Sequence, residues 1–357
     1  MASCPCCAAS CRNESSSALA GIKAVAKRAG VSTATVSRAM RGLPNVTPGT
    51  RERVLRAARE LGYWPSAAAR SLASGRTRSI GLLTPWVHRW FNAHVIDGAE
   101  RELRAHDFDV LLHTFNLDAE ENRAPLDAAA LSRRVDGVLV VGIVLTDAEL
   151  ERLAGLGVPI VFIGPGPGGA HRVFVDDDAA ISGAAGHLAE LGHRVVAHVG
   201  GRSAGRPEWS PPVRRRRSFL RAAAEHGFDD GAGVFVQGDF TSSAGRRAAG
   251  ELLGRRRDIT GIVVDSDEMA FGVLAELQAA GLKVPGDISV ISIDGVEVGE
   301  LLGLTTMAQD AFSQGVAGAR MILDLIAGNS PAPDVIFSPH LIARSSTGPV
   351  PLHASTA

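Results

Sequence analysis

The feature that most constrains the fold of this 357-residue chain is an alternation of short apolar runs with helix-period patterns. Eight runs have the length and composition of buried strands, at residues 80–83, 110–112, 137–141, 159–163, 195–197, 234–236, 261–264 and 288–293. This alternation predicts parallel sheets with helices on both faces. About 270 residues are too many for one small sheet, so we expect two successive lobes with a ligand site beyond the carboxyl ends of the strands.

Positive charge is concentrated in one part of the chain. Residues 20–78 contain twelve Lys and Arg but only Glu52 and Glu60 as acids, although the whole chain has a formal charge of -1. Residues 79–357 therefore carry a net charge of -11. A basic segment joined to an acidic one predicts that the first binds nucleic acid and that the second has a different role.

The basic segment has the pattern of three short helices. The first has an apolar stripe at helical spacing and ends at Gly30, a residue typical of helix C-termini. Ser32 is a suitable N-cap for a second helix over 33–40, and Pro48 opens a third that ends before Gly62. Helix, tight turn, helix and third helix is the plan of a helix-turn-helix DNA-binding domain. A generic three-helix bundle would share the spacing, but it would not need ten excess positive charges.

All four cysteines lie in the first eleven residues, at Cys4, Cys6, Cys7 and Cys11. Disulfides within the folded part are therefore excluded, which fits a reducing cytoplasm. Cys4 and Cys7 have the Cys-x-x-Cys spacing of a metal or redox site, but no His and no second pair accompany them. We interpret the cluster as part of a tail and expect no metal. The start has no secretory signal pattern, and no apolar stretch is long enough to span a membrane.

Enzyme signals are weak. Residues 164–169 formally match the GxGxxG of dinucleotide sites, but two prolines and a strand-like run at 172–175 argue against the helix which that site needs. We therefore expect a loop there. Residues 176–178 are three Asp, which suit either a metal or a helix cap, and the four Arg at 214–217 suit either nucleic acid or one buried ligand-binding Arg with solvated neighbours. No nucleophile with its base stands out, so we predict neither an enzyme nor a cofactor.

The segment at 22–38 resembles the start of the lactose-repressor (LacI/GalR) family of bacterial transcription regulators. The similarity continues through 50–54, 61–65 and 67–72 and extends over nearly all of residues 21–347. Gly21 stands where Thr is usual and Arg41 where Asn is common. The resemblance implies an N-terminal all-α helix-turn-helix DNA-binding domain followed by an α/β periplasmic-binding-protein-like (type I) two-lobed core with parallel sheets.

The implied boundaries are a tail at 1–19, the helix-turn-helix domain at 20–64, and a hinge helix and linker at 65–77. A two-lobed effector-binding and dimerisation domain then covers 78–347, followed by a tail at 348–357. No Leu heptads follow Ser346, so a tetramerising zipper is not supported, and the choice between dimer and tetramer stays open.

The resemblance also implies a set of DNA contacts in a homodimer on a pseudo-palindromic operator. The second helix is expected to present Thr33, Ala34 and Arg38 outward, and Arg is the commonest specific reader of guanine. In the hinge helix, Leu72 would be a wedge in the minor groove with Ala69 allowing close approach. The alternative for Leu72 is a core residue of a linker turn. The full expected set is Ser32, Thr33, Ala34, Thr35, Arg38, Arg41, Thr47, Ala69 and Leu72.

Eight effector contacts follow from the resemblance: Trp90, Phe91, Asp176, Arg215, Phe240, Ser266, Asp267 and Asp294. At 176–178 the family has an acid at the first or middle position. Ser266 replaces a usual Asn, and His88 with Arg89 replaces a common Asn-Pro. Arg, Asp and aromatic side chains together suit the vicinal hydroxyls and ring faces of a sugar.

The sequence therefore predicts a cytoplasmic, effector-controlled repressor of a carbohydrate-related operon. A purine- or nucleoside-responsive regulator of the same family is the alternative. A second alternative is a sugar-binding protein without a DNA role. That alternative would require a signal peptide and the absence of a basic segment, and the sequence meets neither requirement.

Overall fold

The computed structural model describes residues 21–63, 76–114, 128–229 and 234–350. The chain divides into two compact units, residues 1–77 and 78–357. The cysteine cluster and the expected minor-groove residues Ala69 and Leu72 lie outside the described residues.

The described part of the first unit is helical, with α1 (Ile22–Ala29), α2 (Thr33–Met40) and α3 (Pro48–Glu60). Gly30 ends α1 in the left-handed conformation, at φ 65°. The Ser32 hydroxyl accepts a hydrogen bond from the Thr35 amide at 3.1 Å, and Thr47 caps α3 in the same way. Val25, Val36 and Val54, one from each helix, are fully buried at the centre. The predicted three-helix plan is confirmed.

The second unit contains two lobes, each built on a six-stranded sheet. The first lobe contains β1 (Ser79–Thr84), α4 (Trp90–Ala105), β2 (Asp109–Thr114), α5 (Ala128–Leu131), β3 (Gly137–Val141), α6 (Asp147–Ala154), β4 (Ile160–Ile163) and β5 (His171–Val175). It also contains α12 (Ala311–Ala327) and β11 (Asp334–Phe337) from late in the chain. Its strand order is β11-β5-β4-β3-β1-β2, with every pair parallel.

The second lobe begins with α7 (Asp177–Glu190), β6 (Val196–Gly200), α8 (Pro211–His226), β7 (Phe235–Gln237) and α9 (Ser242–Arg255). It continues with β8 (Gly261–Val264), α10 (Asp267–Ala279), β9 (Ser289–Asp294), α11 (Val298–Leu301), β10 (Thr305–Ala308) and β12 (His340–Ile342). The strand order is β12-β10-β9-β8-β6-β7. The predicted parallel architecture holds for every other pair of this sheet, and β12 is a short edge strand that is antiparallel to β10.

The chain passes between the lobes three times: from β5 to α7, from β10 to α12, and from β11 to β12. Helix α12 packs so closely on α4 that a Cβ added at Gly315 would lie 2.2 Å from the Val95 carbonyl oxygen. The eight predicted strands are present, but β10, β11 and β12 were not predicted. Thr305 and Thr306 in β10, with no long apolar run, gave no strand signal.

The C-terminal end of the described chain packs on the second lobe. The Gly348 carbonyl oxygen lies 3.0 Å from His193 Nε2, and the Val350 amide donates to the Leu191 carbonyl at 3.0 Å. The chain is therefore anchored beyond residue 347, where we had expected the tail to begin. None of the described helices has the length and apolar character that crossing a membrane requires.

Candidate functional site

A cavity of about 620 Å³ lies between the two lobes of the second unit. Its wall is formed largely by loops and helix starts that follow the carboxyl ends of strands, which is where parallel sheets bind ligands. The first lobe contributes the segments after β1, β3 and β4, and the second lobe those after β6, β7, β8 and β9. Six of the eight expected effector contacts line this wall: Trp90, Phe91, Arg215, Phe240, Ser266 and Asp294.

Arg215 is held in a buried ion pair on α8. Its Nε donates to Asp177 Oδ1 at 2.7 Å, and its Nη1 donates to the Asp265 carbonyl oxygen. Both side chains of the pair are 7 % exposed. Burial alone would lower the pKa of Arg215, but the nearby carboxylates, Asp177 foremost, outweigh it and raise that pKa. Arg215 is therefore a fixed positive charge in the cavity wall.

Asp294 ends β9 with φ at 137°, a left-handed conformation that a non-glycine residue rarely adopts. Its Oδ1 accepts a hydrogen bond from Gln309 Nε2 at 2.7 Å, and Gln309 Oε1 accepts from Gln314 Nε2 at 3.0 Å. Burial, with the nearby Asp267 carboxylate, raises the pKa of Asp294 to about 8. At neutral pH its carboxyl group is therefore mostly protonated, so it is able to donate as well as accept a hydrogen bond.

Phe240 forms an aromatic part of the wall on the loop after β7. Its φ is 65°, so its backbone is in the left-handed region. Its ring lies directly on Gly201, where an added Cβ would be 2.4 Å from Phe240 Cε2. The ring position thus depends on a glycine in a neighbouring loop of the same lobe.

Two expected contacts do not line the cavity. Asp176 is the N-cap of α7, where its Oδ1 accepts from the Ala179 amide at 3.1 Å, and the next residue, Asp177, lines the wall instead. Asp267 is fully buried and accepts four hydrogen bonds, from Ser292, Thr306 and the amides of Gly295 and Val296. Because both of its oxygens are occupied by protein donors, Asp267 supports the loop after β9 rather than facing the cavity.

The Gly-rich segment between β4 and β5 is a loop, as predicted, and it leads into a strand rather than a helix. In the basic run on α8, only Arg215 is nearly fully buried. Arg214 lies 3.5 Å from Asp178, Arg216 stacks on Phe235, and Arg217 lies 3.4 Å from Glu208. The run is therefore paired and stacked within its own lobe.

The first unit has an exposed polar face on α2. Thr33, Ala34 and Arg38 are exposed, while Thr35 is half-buried. Arg41 and Thr47 are also exposed, between α2 and α3. Ser32 and Thr47 are helix caps, and this fixes where α2 and α3 begin.

Comparison with known proteins assigns the chain to a family. Residues 21–66 match "Bacterial regulatory proteins, lacI family", and residues 185–347 match "Periplasmic binding protein-like domain". Catabolite control protein A of Priestia megaterium is 30% identical over 90% of this chain and 98% of its own length. The chain belongs to the lacI family. The repressor PurR of Erwinia tasmaniensis is 35% identical over 93% of this chain and 98% of its own length.

A solved structure agrees with this lacI-family assignment. The transcriptional regulator CelR–cellobiose complex is 29% identical, covers 92% of this chain and 99% of its own, and superposes with a TM-score of 0.68. The predicted family and fold class are therefore confirmed. This lacI-family protein is a DNA-binding transcription regulator with an effector-binding core, and not an enzyme.

Several wall residues of this lacI-family protein were missed by sequence reasoning, namely Trp86, Arg89, Arg172, Asp177, Trp209, Glu268, Gln309 and Gln314. Asp177 had a signal, since the family places an acid at the first or middle Asp of 176–178. Arg89 also had a signal, because His88 and Arg89 stand where the family commonly has Asn-Pro. Gln309 and Gln314 had none, because they reach the cavity only through the return of the chain into α12.

Proposed function

We propose that this lacI-family regulator represses a carbohydrate-related operon in the cytoplasm. It binds a pseudo-palindromic operator as a homodimer, and a sugar in the interlobe cavity controls its affinity for DNA. The observation that carries the proposal is the chemistry of the cavity wall. Trp90, Phe91 and Phe240 offer ring faces, while Arg215 and Asp294 offer hydrogen bonds at buried positions. Sugars present both apolar ring faces and hydroxyls, so this combination suits them.

The three chain crossings give a route from ligand to DNA affinity. A ligand held between the lobes favours the lobe arrangement that it contacts best, and it shifts the population toward that arrangement. Operator binding responds if the two arrangements differ in DNA affinity, and the coupling is then reciprocal.

The operator is found by selecting bound duplexes from a random pool and testing them by mobility shift. The Arg38→Ala variant should relax the choice of one symmetric base pair and cost about 1–3 kcal/mol per half-site. Arg104→Ala is the matched control, because Arg104 is an exposed Arg of the acidic unit, 3.4 Å from Glu100. Unchanged base preference in Arg38→Ala would remove Arg38 from the set of base readers.

The proposed wedge, Leu72, calls for a separate comparison. Leu72→Ala should weaken binding to the selected operator much more than binding to random duplex, because a wedge acts only in the kinked complex. Both affinities should fall steeply with salt, because the basic segment neutralises phosphates. An equal loss on both DNAs would contradict the wedge.

The effector class is tested by thermal unfolding with cellobiose, glucose, ribose, adenine and hypoxanthine. A ligand at 100 times its dissociation constant adds roughly 2.7 kcal/mol to the free energy of unfolding. We expect a sugar to stabilise the chain and to change operator affinity. Cellobiose is included because a relative in the family was solved with it. A purine is the second candidate, favoured by the similarity to PurR, and stabilisation by purines alone would replace the sugar proposal.

A further inference from the structure

A group of polar contacts crosses the mouth of the cavity from one lobe to the other. Arg89, just before α4 in the first lobe, donates from Nη1 to the Phe240 carbonyl oxygen at 2.6 Å and to Glu268 Oε2 at 3.0 Å. The other oxygen of Glu268 accepts from the Trp90 backbone amide at 3.3 Å. Glu268 and Phe240 both belong to the second lobe, so one carboxylate and one carbonyl hold the start of α4.

A second carboxylate extends the contact along α4. Glu297 Oε2 accepts from Trp90 Nε1 at 3.2 Å, and Glu297 Oε1 lies 3.4 Å from His94 Nε2. We call the contacts of Arg89, Trp90, Phe240 and Glu268 the clasp. The Glu297 contacts are exposed, whereas the side chains of Arg89 and Glu268 are 17 % and 28 % exposed. Exposed ion pairs contribute little, so the clasp, with its more buried and charge-assisted bonds, provides most of the attraction.

The position of Glu268 suits the start of α4 in another way. The Trp90 amide is the first of the helix, and such amides have no partner within their own helix. A carboxylate at a helix N-terminus also interacts favourably with the helix dipole. Glu268 therefore caps a helix of the other lobe, and separating the lobes would leave this amide and the Arg89 guanidinium to water.

Arg89 also has a donor that the described protein does not use. Its Nε is buried and has no hydrogen-bond partner in the described part of the chain. The Arg89 side chain lines the cavity, and its guanidinium carbon lies 5.2 Å from the centre of the Trp86 ring. A buried N–H without an acceptor is costly, and an oxygen of a bound molecule would satisfy it.

We propose that Arg89 is an effector-binding residue that also closes the two lobes over the cavity. Its Nη1 bonds hold the second lobe, and its Nε–H donates to a hydroxyl or carboxylate oxygen of the effector. A ligand that accepts this bond fixes the guanidinium and so stabilises the closed arrangement. The proposal has two halves. The effector half, that Arg89 binds the effector, rests on the proposed function of the cavity. The closing half, that Arg89 holds the two lobes together, does not need a ligand.

The closing half is tested on the ligand-free full chain by hydrogen exchange of the peptide that contains the Trp90 amide. Arg89→Ala should speed this exchange roughly tenfold, after correction for the intrinsic rate of the sequence, because the clasp opens more often. Arg101→Ala is the matched control, since Arg101 lies on α4 but pairs with Asp97 of the same helix. Exchange in Arg89→Ala equal to that of the wild type would overturn the closing role.

The effector half is tested with Arg89→Lys, which keeps a charge for Glu268 but has no Nε–H fork. This variant should keep most of the exchange protection of Trp90 and bind the stabilising sugar of the panel about tenfold more weakly. Melting temperatures confirm that each variant is folded. If no panel compound stabilises the wild-type chain, the proposed function fails and the effector half fails with it. If the wild type binds and Arg89→Lys binds equally well, only the effector half of this inference fails.

Discussion

The two walls of the cavity are built from different chemistry. The first lobe presents rings and aliphatic surface, such as Phe91 and Ile143. Its charged wall residues, Arg89 and Arg172, are partly exposed and already paired with carboxylates. The second lobe presents nearly fully buried polar groups beside the Phe240 ring, namely the Arg215–Asp177 ion pair and the carboxyl group of Asp294. An apolar wall contains no group that needs a hydrogen-bond partner when the cavity is empty. Buried polar and charged groups, in contrast, need partners within the protein itself. We therefore expect substitutions in the second wall to lower stability and ligand affinity together, and those in the first wall to lower mainly affinity.

The largest effect is expected just behind the second wall. Asp267→Ala should reduce the free energy of unfolding by about 4 kcal/mol, because four donors, three of them buried, lose their acceptor. Urea unfolding followed by circular dichroism measures it. Asp176→Ala is the matched control and should cost about 1 kcal/mol, the usual value of an N-cap. Similar losses in the two variants would show that the four bonds to Asp267 contribute little.

Arg215→Ala should have the next largest effect on stability. It leaves Asp177 buried without its partner, which typically costs 3–5 kcal/mol, here somewhat reduced by water entering the cavity. The variant should also lose the sugar response while still binding operator. Thermal melting with operator titration measures both. An unchanged melting temperature with a lost effect of the sugar on operator affinity would show that Arg215 serves the ligand alone. A lower melting temperature with an intact effect of the sugar would show that its role is purely structural.

Asp294 gives the second wall a dependence on pH. Its folded pKa, about 8, is above the usual Asp value of about 3.9, so the folded state binds the proton more tightly than the unfolded state. Its contribution to stability is therefore fully present below pH 4 and is lost as the pH rises to about 8. Asp294→Asn keeps an acceptor for Gln309 and does not ionise, so its stability should fall less between pH 5 and pH 8. Urea unfolding at several pH values measures this difference. If the free energy of unfolding changes equally with pH in Asp294→Asn and in the wild type, the raised pKa is contradicted.

The smallest effect on stability is expected in the first wall. Phe91→Leu keeps most of the apolar volume and should cost less than about 1.5 kcal/mol. It removes the ring face, so affinity for the stabilising sugar should fall by roughly 2- to 10-fold, the range of an aromatic contact. Calorimetric titration measures the affinity. A loss of stability as large as that of Arg215→Ala would erase the difference between the two walls.

Local patterns predicted much of this molecule. The helices of the first unit follow from short-range signals, such as Gly30 with its positive φ and the caps Ser32 and Thr47. The strands with long apolar runs were found for the same reason, since a buried strand is recognisable from its own residues. Strands β10 and β12 were missed because Thr305, Thr306 and His340 interrupt such runs, whereas β11 was missed although its residues 335–337 are apolar.

Predictions for the cavity wall were less accurate at the level of single residues. Asp176 and Asp177 are adjacent and chemically identical, and only the direction of the chain after β5 decides which of them meets Arg215. Asp267 and Asp294 are both buried Asp residues near strand ends, yet one is saturated by protein donors and the other lines the cavity.

The sequence by itself determined the kind of molecule. Its charge asymmetry, helix caps, strand alternation and family motifs are local or compositional, so they can be read without knowing which residues meet. Only the tertiary structure decided the clasp and the Asp294–Gln309–Gln314 chain of hydrogen bonds, which join residues from both lobes. The physical reason is that hydrogen-bond saturation and burial depend on distances of a few ångströms between segments far apart in the chain. Arg89 and Glu268, for example, are 179 residues apart in sequence and 3.0 Å apart in space.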